Sequence, residues 1–218
     1  MEIKEVIAKL DFFHNLNNNE IRELMAISSI KNYKSDYLLY YEKTKQKRLL
    51  FLIDGLAKAY KIDKHENEIF LYYIYGGNIL SEISTIEDNH LISYSNIQLI
   101  ENSQILTIDY GDFKSYFLDS GLLCLEFANE IIRQSKQLQD LVNREFIFDS
   151  VSKVAMMLST DLDMFNRLKR YDISLMLHIQ PSTLSRVLNR LKRNTIIDTI
   201  KGKVIIVNKK ALDRIFNE

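Results

Sequence analysis

Hydrophobic and polar positions change their period twice along this chain. Between residues 2 and 30 apolar side chains recur at helical spacing, with Ile3, Val6, Ile7 and Leu10 on one face and Ile21, Leu24, Met25 and Ile27 on another. Asn17, Asn18 and Asn19 separate the two groups as loop and N-cap residues, so this stretch predicts a helical cap. From Lys31 the pattern breaks into short apolar or aromatic runs at residues 38–41, 49–53, 56–62, 68–75, 79–80, 91–100 and 104–109. Polar or glycine-containing turns such as Asp54-Gly55 lie between them. Many short strands at regular spacing predict an all-β sandwich or barrel, filled by residues such as Leu50, Leu52, Phe70, Tyr72 and Ile74.

After Gly111 the helical period returns. Phe113, Tyr116 and Phe117 predict a short helix, and beyond Gly121 a long one runs to about Glu145, roughly 36 Å at ~1.5 Å per residue. Along it Cys124, Ala128, Ile131, Ser135, Leu138 and Val142 recur at alternating steps of four and three, while Leu125, Ile132 and Leu141 widen the stripe. Packing on its own barrel would use one face; the stripe is wider than that. With Ala128 and Ser135 small enough for close approach, it predicts a self-dimerisation seam. Cys124 falls on the seam, where it reads as a small core hydrophobe. Residues 146–150 read as a hinge, and Val154, Ala155 and Leu158 begin a C-terminal domain.

The stretch from Ile173 to Arg190 reads as two helices around a tight turn. Ile173, Met176 and Leu177 share an apolar face; Gln180 and Pro181 interrupt; Leu184, Val187, Leu188 and Leu191 then form a second buried stripe. Ser182, Thr183, Ser185, Arg186, Asn189 and Arg190 are left on the other faces, a set suited to the major groove. Alone, this segment fits an ordinary surface helix equally well. The next segment shifts the balance: two β-branched runs flank Lys201-Gly202-Lys203, the pattern of a hairpin with a basic tip. Arg167, Lys169, Arg170, Arg186, Arg190, Lys192, Arg193, Lys201, Lys203, Lys209 and Lys210 face only Asp172 and Asp198 over this region, in a chain whose net charge is zero. So local an excess of positive charge is the footprint of phosphate binding, and the partner it predicts is double-stranded DNA.

Composition narrows the field further. The N-terminus carries charge every few residues, unlike a signal peptide or membrane span, and a lone Cys124 supplies neither an internal disulfide nor an iron–sulfur cluster. A reducing, cytoplasmic setting is expected. No Ser/His/Asp set, paired His ligands, P-loop or glycine-rich dinucleotide motif is legible, so the chain is not expected to be an enzyme.

Two motifs in this order of elements resemble the Crp/Fnr superfamily of bacterial transcription regulators. The run Leu50-Phe51-Leu52-Ile53-Asp54-Gly55-Leu56-Ala57-Lys58 is similar to that family's strand–turn–strand, and Ser182-Thr183-Leu184-Ser185-Arg186 to its E-T-x-S-R or E-T-x-G-R recognition-helix pattern. The resemblance implies an α+β chain: an N-terminal β-barrel or jelly-roll effector domain of the cyclic-nucleotide-binding type (1–120), a long dimerisation helix (121–146) and a C-terminal winged helix-turn-helix (147–218). It implies a homodimer on a palindromic site, with RNA polymerase as a further partner. It implies that Ser182, Ser185 and Arg186 face base edges and Thr183 touches phosphate. Ser182 stands where the family has a glutamate, so a half-site other than the common TTGAT or TGTGA types is expected at the position that glutamate reads.

Gly77-Asn78-Ile79-Leu80-Ser81-Glu82 resembles the G-D-x-x-G-E opening of the phosphate-binding cassette of cyclic-nucleotide members, which would put Glu82 at the ribose position. Ten residues on, those members have an Arg-Ser pair; this chain has Ile92-Ser93. Losing the guanidinium removes the charge-assisted grip on the cyclic phosphate, so cAMP is disfavoured as effector, and Glu82 and Ser93 read by default as loop residues. Haem sensing of CO or nitric oxide, as in some members, would need an axial ligand, for which His90 is the one histidine in the cassette loop. A redox signal, a cAMP-responsive regulator and an effector-independent regulator stand beside these readings.

Overall fold

The computed structural model describes residues 2–217. They form two compact units, residues 2–137 and 138–217. The first opens with helix α1 (Ile3–Ile7), a 3-10 turn (Asp11–Phe13) and α2 (Asn18–Ala26). Asn17 caps α2: its side chain accepts from the Asn19 and Glu20 amides at 2.8 and 3.1 Å, and the Glu20 carboxylate accepts the Asn17 amide at 2.7 Å. Such a reciprocal box satisfies three amides that the helix itself cannot. The helix ends earlier than expected, because Ser28–Tyr33 is strand β1, in register from Ser28↔Ile108 to Tyr33↔Ser103.

Strands β2 (Leu38–Tyr40), β3 (Lys45–Gln46), β4 (Arg48–Asp54), β5 (Leu56–Ile62), β6 (Glu68–Tyr75), β7 (Leu91–Ile92), β8 (Asn96–Leu99) and β9 (Ser103–Asp109) follow. They assemble into a β1-β9-β4 sheet, a β2-β8-β5-β6 sheet and a β3-β7 ribbon, all antiparallel. This is a roll of sheets and not a closed barrel. Leu50, Leu52 and Ile105 of one sheet pack with Ala57, Ala59, Ile74, Ile97 and Leu99 of the other. The alternate side chains of β4 and β9, Leu49, Phe51, Leu106 and Ile108, point the opposite way into a second core with Phe13, Leu24, Phe113 and Phe127. A strand buried on both faces has no polar alternation to keep, which is why β4 reads as an unbroken apolar run. Phe70 is buried as expected, and Tyr72 is half-buried.

After a short helix α3 (Tyr110–Phe113) and a π-helical turn (Lys114–Leu118), the long helix α4 spans Cys124–Val142 and passes into a second π-helical turn, Asn143–Ile147. Phe127 and Glu130 are the buried residues of α4. The predicted seam residues Cys124, Ala128, Ile131, Ser135, Leu138 and Val142 are all exposed on the protomer, with Leu138 54% and Val142 51% exposed. Cys124 is thus not a core residue of its own chain; its thiol points at the Leu118 carbonyl at 3.2 Å.

The second unit contains α5 (Ser150–Thr160), α6 (Leu162–Arg167), α7 (Arg170–Met176), α8 (Pro181–Arg193), strands β10 (Ile197–Ile200) and β11 (Lys203–Ile206), and α9 (Lys209–Asn217). Val154, Leu158, Phe165, Ile173, Leu177, Leu184, Leu191, Val204 and Leu212 are buried in it. Among the described residues no helix is long and apolar enough to cross a membrane.

Candidate DNA-reading face and effector cassette

Helix α7 ends in a Schellman turn: the His178 amide donates to Leu175 O and the Ile179 amide to Ser174 O, both at 3.0 Å. His178 occupies the left-handed position of that turn, φ +50°, where glycine is the usual residue. Gln180 then serves as N-cap and Pro181 as the first residue of α8. Leu184, Val187 and Leu191 are buried beneath α8, and Ser182, Ser185, Arg186, Asn189 and Arg190 stand exposed, with Thr183 half-buried. The Arg186 guanidinium lies along its own helix, donating to Thr183 Oγ1 at 3.2 Å and to Ser182 O at 3.4 Å. Both are weak exposed bonds that a guanine edge can replace at small cost.

Beyond α8 the chain turns through a second Schellman motif, Thr195 N–H to Lys192 O and Ile196 N–H to Leu191 O, both at 3.0 Å. Thr195, β-branched, is forced to φ +57°. Thr195→Gly is therefore expected to stabilise this unit by about 1 kcal/mol, the usual penalty for a Cβ in that region. Urea unfolding followed by circular dichroism checks this; a loss of stability would mean that Thr195 makes a compensating contact. The hairpin β10–β11 closes through Lys201 (φ +49°) and Gly202 (φ +80°), both left-handed as a two-residue type I′ turn requires. Asn166 of α6 acts as a partner strand for β11, accepting the Val204 amide at 2.8 Å and donating to its carbonyl at 2.9 Å. Lys201 and Lys203 are exposed at the tip of this wing. Lys192, in contrast, is paired with Asp198 at 2.8 Å, and Arg170 lies over the Phe165 ring at 4.4 Å. Part of the basic excess is therefore structural.

Sequence reading missed Glu145. On the π-helical turn after α4, its carboxylate takes His178 Nδ1 at 2.7 Å, Arg144 Nε at 3.0 Å and Lys153 Nζ at 3.6 Å. Burial alone would raise its pKa, but the bonds from His178 and Arg144 and the Lys153 charge outweigh that and hold it below the ordinary value. It ties the π-helical turn after α4 to the turn of the helix-turn-helix. No spacing signal marks such a pair, 33 residues apart.

In the roll, residues 77–81 run along the free edge of β4. The Leu52 amide donates to Asn78 O at 2.9 Å and the Leu80 amide to Leu50 O at 2.8 Å. The expected strand at 79–80 is thus a single bridge, Phe51↔Ile79. Ser81, at a glycine position of the resembled cassette, accepts the Leu50 amide at 3.0 Å and is buried. Glu82 is not held out toward a ligand. One carboxylate oxygen accepts the Tyr94 and Ser95 amides at 2.5 and 3.0 Å; the other accepts the Ser95 hydroxyl at 2.8 Å and the Tyr72 hydroxyl at 3.3 Å. Ser93 is buried, its amide bonded to Thr44 O and its carbonyl to the Lys43 amide. Tyr40 fills the space beside it, donating to Leu80 O at 2.6 Å. Burial, then the neighbouring Glu82 charge, pushes the Tyr40 and Tyr72 hydroxyls well above the usual phenol range, so both remain donors at physiological pH.

Gln134, on the roll-facing side of α4, is the other residue that sequence reading missed. Its amide nitrogen donates to Ser81 O at 3.1 Å and its oxygen accepts the Ile83 amide at 3.1 Å. The same nitrogen lies 2.9 Å from Glu130, which Arg133 holds through two further bonds. His90 is half-buried in the loop before β7. A cleft of 290 Å³ elsewhere, between the N-terminal cap and α4, is lined by Phe12, His14, Asn78, Glu126 and Arg133 and by neither Glu82 nor Ser93.

A β-roll carrying a cassette, followed by a winged helix-turn-helix, defines an effector-binding domain joined to a DNA-binding domain: the architecture of a transcription regulator. Comparison with known proteins agrees. Residues 30–120 match the cyclic nucleotide-binding domain family and residues 153–215 the Crp-like helix-turn-helix domain family. The chain belongs to the Crp/Fnr superfamily of transcription regulators. No curated protein sequence matched. Among solved structures it is similar to a mutant of CooA from Carboxydothermus hydrogenoformans (18% identity, covering 94% of each chain, TM-score 0.72). It is similar also to FixK2 from Bradyrhizobium japonicum (15% identity, 87% of this chain and 97% of that one, TM-score 0.68). A third is the c-di-GMP responsive global regulator CLP of Xanthomonas campestris (16% identity, 87% and 99%, TM-score 0.62).

Proposed function

We propose that this regulator is a homodimer that binds a two-fold symmetric DNA site, one recognition helix per half-site. The observation that carries the reading is α8: Leu184, Val187 and Leu191 of its apolar stripe are buried inside the domain and Leu188 is half-buried, while Ser182, Ser185, Arg186, Asn189 and Arg190 stand exposed beside a wing tipped by Lys201 and Lys203. Ser182, Ser185 and Arg186 read base edges, Thr183 meets phosphate, and the wing lysines hold the flanking backbone. Pairing rests on α4, whose exposed Ala128, Ile131, Ser135, Leu138 and Val142 follow a heptad on one helix face. A small effector other than a phosphate-gripped cyclic nucleotide acts through the roll, and RNA polymerase is the further partner proposed. A second reading, regulation without any effector, is favoured by the Glu82 carboxylate, which accepts four bonds from within the chain.

Selection of binding sites from a random DNA pool, with sedimentation of the protein alone and on the selected site, tests the main reading. Two half-sites about one helical turn apart, bound by a dimer, are expected. The half-site should depart from TTGAT and TGTGA at the position a glutamate would read, since a serine hydroxyl both donates and accepts and discriminates less. Recovery of either sequence unchanged would remove the role given to Ser182, and an unselective pool would remove the regulator reading of α8.

A further inference from the structure

An ionised carboxylate has about four acceptor positions, and all four of Glu82 are taken by groups of this chain: two backbone amides and a hydroxyl from Tyr94 and Ser95, and the Tyr72 hydroxyl. A turn that points two successive amides and a hydroxyl at one spot is an anion cradle. Here the anion is part of the protein. The residues on either side of Glu82 are held just as firmly by α4, since the Gln134 amide bonds Ser81 O and the Ile83 amide at once, as a neighbouring strand would. Filling the cradle therefore fixes the peptide that α4 grips. Ser81 adds a third anchor, to the Leu50 amide of β4.

We propose that Glu82 is a built-in ligand: its carboxylate fills the anion cradle of the 94–95 turn, Gln134 conveys the filled state to α4, and specific DNA binding accordingly needs no cyclic nucleotide. This rests on the DNA-binding reading above and deepens its effector-independent form. The chemistry that recognises Glu82 would equally recognise any small carboxylate once the side chain is removed. That gives a direct test by chemical rescue.

Wild type, Glu82→Ala, Gln134→Leu and the double variant are titrated against the selected DNA site. Each is measured with acetate at about 0.1 M and with chloride at the same ionic strength, so that screening is equal. Glu82→Ala is expected to bind about tenfold more weakly in chloride and to recover most of that in acetate, which re-enters the emptied cradle. Gln134→Leu, which breaks the link beyond the cradle, should lose about as much and gain nothing from acetate. The double variant should be no weaker than either single one, as for two parts of a single path. Cyclic AMP should leave wild-type affinity unchanged. Where alanine does not fold, Glu82→Gln keeps the packing and one acceptor oxygen; it should lose less and be indifferent to acetate. A merely structural role for either residue would lower the melting temperature of the roll without moving DNA affinity. The proposal is overturned if Glu82→Ala or Gln134→Leu binds DNA as wild type does, if acetate helps Gln134→Leu as much as Glu82→Ala, or if cyclic AMP tightens wild-type binding. A wild type that selects no DNA site would overturn the regulator reading and this inference with it.

Discussion

Gly55→Ala is expected to destabilise the roll by about 3–5 kcal/mol, a large part of the ~5–15 kcal/mol that holds a typical domain together. Gly55 joins β4 to β5 at φ +109°, a region that an L side chain rarely enters and that costs roughly 1–3 kcal/mol for a non-glycine residue. Space is short as well. An added Cβ would lie 2.2 Å from Ser103 Oγ, 2.9 Å from its Cβ and 3.0 Å from its Cα. Ser103 is buried at the start of β9, and its hydroxyl is already bonded to Glu101 O at 2.8 Å, so it cannot swing aside freely. Overpacking of this kind adds about 1–3 kcal/mol. The two contributions separate in a double variant. Ser103→Gly removes the two side-chain clashes, at 2.2 and 2.9 Å, but leaves the close approach to the backbone of residue 103 and the strain at residue 55. Gly55→Ala/Ser103→Gly should therefore recover roughly half of the loss. All but one of the twelve tyrosines, Tyr171, lie in the N-terminal unit and the chain has no tryptophan, so tyrosine fluorescence in urea follows the roll. Additive effects of the two substitutions would mean that strain alone, and not the approach of Ser103, fixes glycine at this position.

An element is legible in a sequence when its residues have one physical reason to be where they are. β5 and β6 were readable to the residue because each carries its apolar run between two turn signals. β1 was not: its sequence offers one strongly apolar side chain, Ile30, and its identity as a strand comes from backbone pairing with β9, which is distant in sequence. The heptad on α4 was legible because exposed apolar groups on a helix have no local explanation. Gln134 and Glu130 were illegible because polar residues on a helix ordinarily face water, and only the fold shows them turned toward the cassette. Glu82 could be singled out only by its resemblance to a cassette residue, and its partners Tyr94 and Ser95 lie beyond any motif. The two helix-ending left-handed turns of the DNA-binding unit were also hidden, since His178 and Thr195 stand where glycine would have announced them. At His178 the strain is offset by a bond to Glu145, which turns a local irregularity into a tie between the π-helical turn after α4 and the helix-turn-helix.

The same division between what positions and what specifies governs the DNA-reading face, and it predicts different behaviour for its two kinds of cation. Arg186→Ala is expected to cost about 1–3 kcal/mol per half-site, roughly 5- to 150-fold in affinity, and to relax selection at one base position. The guanidinium is oriented on the free protein by Thr183 Oγ1 and Ser182 O, and both bonds are intrahelical, so its removal leaves the fold of α8 unchanged. The melting temperature should accordingly stay at the wild-type value. Lys203→Ala, at the exposed tip of the wing, should instead weaken every sequence alike and lower the salt slope of binding by about one unit, because a phosphate contact releases a counterion whatever base lies beside it. Affinities of wild type and both variants are measured for the selected site, for its single-base changes and for unrelated DNA over a range of salt. Uniform loss in both variants would show that Arg186 touches backbone and that the reading of bases falls to Ser182, Ser185 and Asn189. A loss confined to one base position in the Lys203 variant would place the wing in a groove instead of on the phosphates. With the expected pattern, α8 supplies the sequence preference and the wing supplies the grip.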